Sequence, residues 1–159
     1  MRYLLIDRIE YLEVNKFIRA VKSVALSEDV FHDHFFGYPV MPGALLIESL
    51  AQAGTALLEY SAKFKKKALL VMVDQAKFRK MVRPGDQLSV RGTIVSINQR
   101  SAQMDGEIRI TDNLVMNARL TFALDDADRF YPIKTRRLME TIYDVWLEDT
   151  QFKDDRGGK

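Results

Sequence analysis

The sequence predicts an α+β fold in which a mainly antiparallel sheet surrounds one long helix. Three observations support this prediction. An apolar stretch of helical composition occupies residues 42–60, two strand-like segments precede it, and further strand-like segments follow as far as residue 124. Strands on both sides of a single buried helix are typical of α+β domains. The 159 residues, 47% of them hydrophobic and 29% charged, suffice for one globular domain with a normal core.

Two short strands and a loop are predicted ahead of the helix. Residues 3–9 and 17–26 combine β-branched and other apolar side chains with polar ones, as short strands do. Residues 27–41 contain a glycine, a proline and both histidines of the chain, and they therefore indicate a loop.

The helix is predicted from its composition and from the distribution of its apolar residues. Residues 42–60 read PGALLIESLAQAGTALLEY, and Ala, Leu, Glu and Gln are good helix formers. Pro42 suits the first turn of a helix. Apolar residues occupy nearly every side, which is typical of a buried helix. Glu48 and Gln52 are four residues apart and share one face, where two polar groups require partners.

Five strands are predicted after the helix, over residues 68–73, 76–82, 88–97, 103–111 and 114–124. The last of them alternates apolar and polar residues along its whole length, which is the strand period. The dipeptide Asp112-Asn113 predicts a hairpin turn between the last two strands.

The C-terminal part differs from the rest, and we expect two regions: a domain over residues 1–128 and an extension over residues 129–159. In the extension, an apolar stripe at helical spacing predicts a helix at about 135–149. The residues from 151 onward are polar and include two glycines, which predicts a mobile tail.

Composition excludes several classes of function. The chain has no cysteine, which excludes disulfides, thiolate nucleophiles and cysteine-ligated metals. Its 24 basic and 22 acidic side chains leave a formal charge of +2, and no recognition motif is present, so nucleic-acid binding is not favoured. Residues 1–10 do not resemble a signal peptide, and no stretch predicts a membrane span. We therefore expect a cytoplasmic protein that does not insert into membranes.

Three chemical features meet where the loop enters the helix. A histidine such as His34 titrates near neutral pH and can act as a base. Gly43 begins the helix, where backbone N–H groups are free and the dipole is positive. Glu48 follows within two turns. A base, an acid and oxyanion donors are what proton abstraction next to a carbonyl requires. From the residues alone, other readings stay open: a structural histidine, an ion-paired Glu48, or a metal site that includes His32, although no cysteine or third histidine completes one.

The same segment carries a family motif, and nine residues match it in register: Phe31, His34, Phe35, Pro39, Pro42, Gly43, Glu48, Ala51 and Gln52. With this pattern the chain resembles the 3-hydroxyacyl-acyl-carrier-protein dehydratases of the FabZ type. Further similarity lies in residues 4–8, 17–22, 76–79 and 84–86, so that the resemblance covers about residues 3–124. It implies the hotdog fold, in which an antiparallel sheet wraps one central helix.

The resemblance also implies a reaction and roles for individual residues. The reaction is the dehydration of a 3-hydroxyacyl thioester to a trans-2-enoyl thioester in fatty-acid or related lipid or polyene biosynthesis. His34 would remove the α-proton, Glu48 would protonate the departing hydroxyl, and the N–H of Gly43 would polarise the thioester carbonyl. Gln52 would orient Glu48.

Two further residues of the motif, Phe35 and Pro42, would support this site. No cofactor and no metal are implied.

Partners follow from the same resemblance. The family acts as homodimers in which the histidine and the glutamate of one site come from opposite protomers, and some members form hexamers as trimers of dimers. The acyl chain would lie in an apolar tunnel at the dimer interface, attached to an acyl carrier protein through phosphopantetheine. Since carrier proteins are acidic, we expect docking at a basic cluster. The cluster consists of Lys77, Arg79, Lys80 and Arg83.

Two departures from the motif leave alternatives open. Asp33 replaces the glycine before the histidine, and Phe36 replaces the proline two residues after it. Asp33 either influences the base or faces solvent, and Phe36 adds bulk near the entrance. A non-catalytic or specialised hotdog subunit that binds an acyl carrier or a partner is therefore one alternative, and an acyl thioesterase is another.

Overall fold

The computed structural model describes residues 3–131 and 133–153, and for residues 133–139 it describes the backbone only. Two single-turn 3₁₀ segments, at Asp29–His32 and Ala127–Arg129, accompany the regular elements. The strands are β1 (Arg8–Glu13), β2 (Phe17–Ser23), β3 (Lys66–Phe78), β4 (Gln87–Ile97), β5 (Ser101–Ile110), β6 (Asn113–Asp126) and β7 (Gln151–Lys153). The helices are α1 (Gly43–Ser61) and α2 (Ile133–Leu147).

The strands form one sheet in the order β3-β6-β5-β4-β2-β1-β7. Every neighbouring pair is antiparallel except β1 and β7, which are parallel. Helix α1 packs against strands β2 to β6. The predicted α+β class, with a mainly antiparallel sheet around one helix and an extra C-terminal helix, is confirmed.

Helix α1 is the centre of the hydrophobic core. Its apolar residues on several sides are buried against inward-facing residues of the sheet. A small residue lets the sheet approach at one point, because a β-carbon at Gly54 would lie 2.6 Å from the ring of the buried Phe122. Close packing of this kind is normal for protein interiors. None of the helices in the described ranges is long and apolar enough to cross a membrane.

The first strand lies further along the chain than its pattern predicts. Residues 3–9 are predicted as a strand, whereas β1 comprises Arg8–Glu13. Ahead of β1, the main chain at Tyr3 and Leu5 bonds to the side chain of Gln52 on α1 instead of to a neighbouring strand. The pattern correctly indicated an extended segment, but it did not indicate which groups form hydrogen bonds with the main chain there.

Two other boundaries also differ from the prediction. The strands predicted at 68–73 and 76–82 form the single strand β3, which ends at Phe78 and whose register with β6 shifts twice, as bulges do. The hairpin turn predicted at Asp112-Asn113 is formed by Thr111 and Asp112, because Ile110 pairs with Asn113. Thr111 has φ +51°, which a two-residue hairpin turn requires.

In its described side chains, the C-terminal helix packs onto the domain through the buried Tyr143 and Trp146, each of which donates a hydrogen bond. Trp146 Nε1 donates to the carbonyl of Ile6 at 3.2 Å, and the hydroxyl of Tyr143 donates to Glu59 Oε2 at 2.6 Å. A mobile tail is predicted from residue 151, but Gln151–Lys153 forms the short strand β7. The chain after α2 runs along the edge of β1, and β7 pairs with that strand. The rest of the predicted tail, 154–159, lies outside the described residues.

Glu59, near the end of α1, is a buried carboxylate with a full set of partners. Lys67 Nζ lies 2.7 Å from its Oε1, and the N–H of Ala68 donates to the same oxygen at 3.2 Å. Burial raises the pKa of Tyr143 well above its usual value, and the Glu59 charge raises it further. Burial by itself would lower the pKa of Lys67, but Glu59 and Tyr131 together outweigh it, so that the pKa of Lys67 is raised.

Because the pKa of Tyr143 is higher in the folded chain than the value of about 10 for an unfolded tyrosine, folding keeps this side chain neutral. Its contribution to stability is therefore fully present below about pH 10 and is lost as the pH rises above that value. Urea unfolding between pH 8 and pH 11 should show that the free energy of unfolding falls more steeply for the wild type than for Tyr143→Phe. Parallel curves for the two chains would contradict this assignment.

Candidate active site

A compact loop precedes α1 and holds His34; we call residues 33–41 the histidine loop. Its backbone is closed by bonds among its own residues. The N–H of Val40 donates to the carbonyl of His34 at 2.9 Å, while Phe35 and Tyr38 exchange two hydrogen bonds of 3.1 and 2.9 Å. The N–H of Met41 donates to Val82 O at 2.8 Å, which ties the loop to the segment after β3.

The two histidines have different surroundings. His34 is half-buried, and its ring stacks on that of Phe35 with centroids 4.0 Å apart. His32 is exposed, and its Nδ1 lies 3.0 Å from the carbonyl oxygen of Asp29. Within the described ranges, these residues do not join others in a cluster of three or more His, Asp or Glu side chains that could hold a metal ion.

Helix α1 begins at Gly43, directly after the histidine loop. Pro42 is its N-cap residue, with extended backbone angles, and its carbonyl accepts the N–H of Leu45 at 3.0 Å. The N–H of Gly43 lies in the first turn, where helix amides have no intrahelical acceptor. A β-carbon at Gly43 would lie 2.9 Å from Cε1 of Phe78, so the absence of a side chain lets this ring cover the start of the helix.

Glu48 and Gln52 form a hydrogen-bonded pair on α1, as their spacing predicts. Gln52 Nε2 donates to Glu48 Oε1 at 3.1 Å and to the carbonyl of Tyr3 at 2.9 Å. The N–H of Leu5 donates to Gln52 Oε1 at 2.8 Å. Both side chains are half-buried, so the carboxyl group is held on one side by the amide and is reachable on the other.

The structure of one chain brings some of the predicted site residues together and leaves others apart. His34, Phe35, Pro42 and Gly43 follow one another at the start of α1, and Glu48 lies about 7.5 Å further along the helix axis than Gly43. In the part of the chain that the structure describes, no hydrogen bond or ion pair joins His34 to Glu48. The two proposed reacting groups are thus presented separately by a single chain.

The two departures from the motif point outward. Asp33 is exposed at the end of the 3₁₀ turn that contains His32. Phe36 is 96% exposed at the tip of the histidine loop. Neither side chain covers His34 in the single chain.

The basic cluster of Lys77, Arg79, Lys80 and Arg83 is exposed, and its Arg83 contacts the histidine loop. The Arg83 guanidinium lies over the ring of Tyr38, 4.5 Å from its centroid, in a cation–π contact. Arg79 bonds to the side chain of Asn117 on β6. The contacts of Tyr38, of Phe78 and of the main chain at Tyr3 and Leu5 were not predicted, because no local sequence pattern marks any of them.

Comparison with known proteins gives consistent matches. Residues 1–119 match the model of the FabA-like domain. The 3-hydroxyacyl-[acyl-carrier-protein] dehydratase FabZ of Lactobacillus helveticus is 40% identical over 124 residues, which cover 77% of this chain and 84% of the relative. The FabZ protein of Nitratiruptor sp. is 37% identical over 131 residues, which cover 78% of this chain and 88% of the relative.

Solved structures share the fold at low identity. The dehydratase heterocomplex ApeI:P from Xenorhabdus doucetiae has a TM-score of 0.65 at 17% identity, over 88% of this chain and 90% of the other. A hot-dog-like protein from Thermanaerovibrio acidaminovorans has a TM-score of 0.61 at 16% identity, over 80% of this chain and 91% of the other. These likenesses confirm the predicted hotdog fold.

The bond between the Leu5 N–H and Gln52 Oε1 should be visible in hydrogen exchange. The substitution Gln52→Leu removes the acceptor and leaves an apolar side chain, so the Leu5 amide should lose protection by roughly tenfold or more. Native-state hydrogen exchange measured by NMR checks this. The Asp7 amide, which donates to Val21 O at 2.7 Å, is the internal control and should keep its protection. Unchanged protection of the Leu5 amide would contradict the contact.

Proposed function

The chain belongs to the FabA-like family, and on that premise we propose that it dehydrates 3-hydroxyacyl groups on an acyl carrier protein to trans-2-enoyl groups. His34 is the base and Glu48 is the acid. The observation that carries the proposal is the start of α1, where a histidine loop, a free helix N–H and a glutamate oriented by Gln52 follow one another. The FabZ relatives, which match three quarters of this chain, support the reaction.

The reaction uses the three groups in order. A ring nitrogen of His34 takes the proton from the α-carbon, and the electron pair of that C–H bond becomes the new double bond between the α- and β-carbons. The bond from the β-carbon to its hydroxyl breaks, and the proton of Glu48 completes the departing water. The N–H of Gly43 stabilises the negative charge that develops on the thioester oxygen. No oxidant or reductant is needed, because elimination leaves the electron count unchanged.

The supporting residues hold these groups in place. Phe35 limits the orientation of the His34 ring by stacking on it. Pro42 fixes the direction in which the chain enters α1 and so places the N–H of Gly43 at the helix end.

The active unit is a homodimer, and the sheet edge at β3 is its interface. β3 is the terminal strand of the sheet, so its outer backbone groups pair with no other strand in the described ranges. Val71 and Met72 on this strand are 60% and 47% exposed. An exposed apolar edge strand is a template for pairing with a second copy. A dimer would supply His34 and Glu48 of one site from opposite protomers, in line with their separation in one chain. A hexamer of three such dimers stays a prediction from the sequence.

The acyl carrier docks beside the histidine loop. The basic cluster offers positive charge to an acidic carrier, and Arg83 is held against Tyr38 at the loop itself. Charge complementarity at such a rim accelerates encounter more than it increases affinity. The phosphopantetheine arm would then pass the loop to reach Gly43 and Glu48.

Substitution of either reacting group should abolish most of the activity. With a 3-hydroxyacyl substrate on a carrier protein, His34→Ala and Glu48→Gln should each lower kcat by at least about 100-fold, because each removes one proton-transfer group. His32→Ala is the matched control and should keep wild-type activity, since His32 lies outside the proposed site. Formation of the enoyl product is followed by mass spectrometry.

This experiment tests the roles of His34 and Glu48 separately from the proposed dehydration. Activity that survives either substitution would overturn the corresponding role. An inactive wild type that still binds the acyl carrier would overturn the proposed reaction.

A charge on the sheet edge should disrupt the dimer. Val71→Lys places a lysine in the middle of the proposed interface and should yield monomers with little activity. Val95→Lys is the control, because Val95 is 48% exposed on β4, which has neighbours on both sides. Light scattering after size-exclusion chromatography gives the mass in solution. A dimeric, active Val71→Lys chain would rule out this edge as the interface.

A further inference from the structure

The segment ahead of β1, residues 3–6, is hydrogen-bonded to both helices. Its side chains at Leu5 and Ile6 are buried in the core. On one side, its main chain at Tyr3 and Leu5 bonds to Gln52 of α1. On the other side, the carbonyl of Ile6 accepts the indole N–H of Trp146 from α2 at 3.2 Å.

The two bonds from this segment determine which way the Gln52 amide faces. The Leu5 N–H can only donate, so the atom 2.8 Å from it must be the amide oxygen. The Tyr3 carbonyl can only accept, so the atom 2.9 Å from it must be the amide nitrogen. A flipped amide would lose both bonds. The main chain thus forces Gln52 to present an N–H, and not its oxygen, to Glu48.

This orientation decides which oxygen of Glu48 carries the transferable proton. Gln52 donates to Glu48 Oε1, and in a protonated carboxyl group the oxygen that accepts such a bond is the carbonyl oxygen. The proton is therefore placed on Oε2, which has no bond to Gln52. If the Gln52 oxygen faced Glu48 instead, the protonated carboxyl group would donate its hydrogen to Gln52. The proton would then not be available to the substrate.

We propose that residues 3–6, anchored by Trp146 of α2, are a positioning device for Glu48 that acts through Gln52. The C-terminal helix, which begins after the FabA-like match ends at residue 119, thereby contributes to the site without touching it. The inference deepens the proposed function and rests on it, because it concerns the proton donor of the dehydration.

Removal of one backbone N–H tests the device directly. Leu5 is replaced by leucic acid through nonsense suppression, which converts its amide to an ester and leaves the side chain unchanged. The ester cannot donate to Gln52 Oε1, so kcat should fall about tenfold with KM unchanged. In a Gln52→Leu background the same ester should have no further effect on kcat, because the path to Glu48 is already broken.

The ester experiment distinguishes a positioning role of residues 3–6 from a general structural effect and from failure of the proposed function. An ester chain with wild-type kcat, alongside an active wild type, would overturn the device and leave the proposed function standing. Equal losses in the wild-type and Gln52→Leu backgrounds would show a general structural effect and would also overturn it. An inactive wild type would overturn the proposed function and the device together. Thermal melting of each chain shows whether it is folded at the assay temperature.

The anchor on α2 is tested with a matched pair of substitutions. Trp146→Phe removes the donor to Ile6, and Tyr143→Phe removes a second hydrogen bond from α2, which leads to Glu59 at the far end of α1. Trp146→Phe should lower kcat about threefold or more with KM unchanged, whereas Tyr143→Phe should keep the wild-type kcat. Equal kcat values for the two chains would overturn the role of α2, since loosening the helix would then be the only effect.

Discussion

The burial of α1 is the constraint on which the rest of the structure depends. A helix surrounded by a sheet can carry polar side chains only where partners reach them, because an unpaired polar group in the core costs more than a typical hydrogen bond contributes. Ser49 satisfies itself by donating to the carbonyl of Leu45 at 2.9 Å. Gln52 and Glu59 cannot do so, and each draws on a distant part of the chain.

The polar residues toward the two ends of α1 find their partners in different ways. At the C-terminal end, Glu59 is paired with Lys67 and Tyr143, and the bond to Tyr143 holds α2 against the domain. At the N-terminal end, Gln52 is satisfied by the main chain, and Glu48 keeps one oxygen without a bond to it. The buried Glu59 is thus ion-paired and structural, while the half-buried Glu48 stays accessible on one side. The proposed chemistry uses the carboxyl group whose burial is incomplete.

Several features of this protein were accessible from the sequence because they are local. The period of the strands and the composition of α1 predicted the α+β class, and the four-residue spacing of Glu48 and Gln52 predicted their contact. Boundaries were less accessible, since the start of β1 and the merger of two predicted strands into β3 depend on which neighbour accepts each backbone bond. The short strand β7 exists only because β1 offers it an edge.

The sequence by itself determined the buried helix, the family motif at its start and the residue types of the proposed proton-transfer site, because periodicity and spacing are properties of neighbouring residues. Only the tertiary structure decided that Tyr3 and Leu5 hold Gln52, that Trp146 holds Ile6, and that Arg83 rests on Tyr38. The two residues of each pair are separated by at least 45 positions, so no local sequence pattern predicts the contact. They arise because folding places these groups where a buried helix and a covered loop require partners.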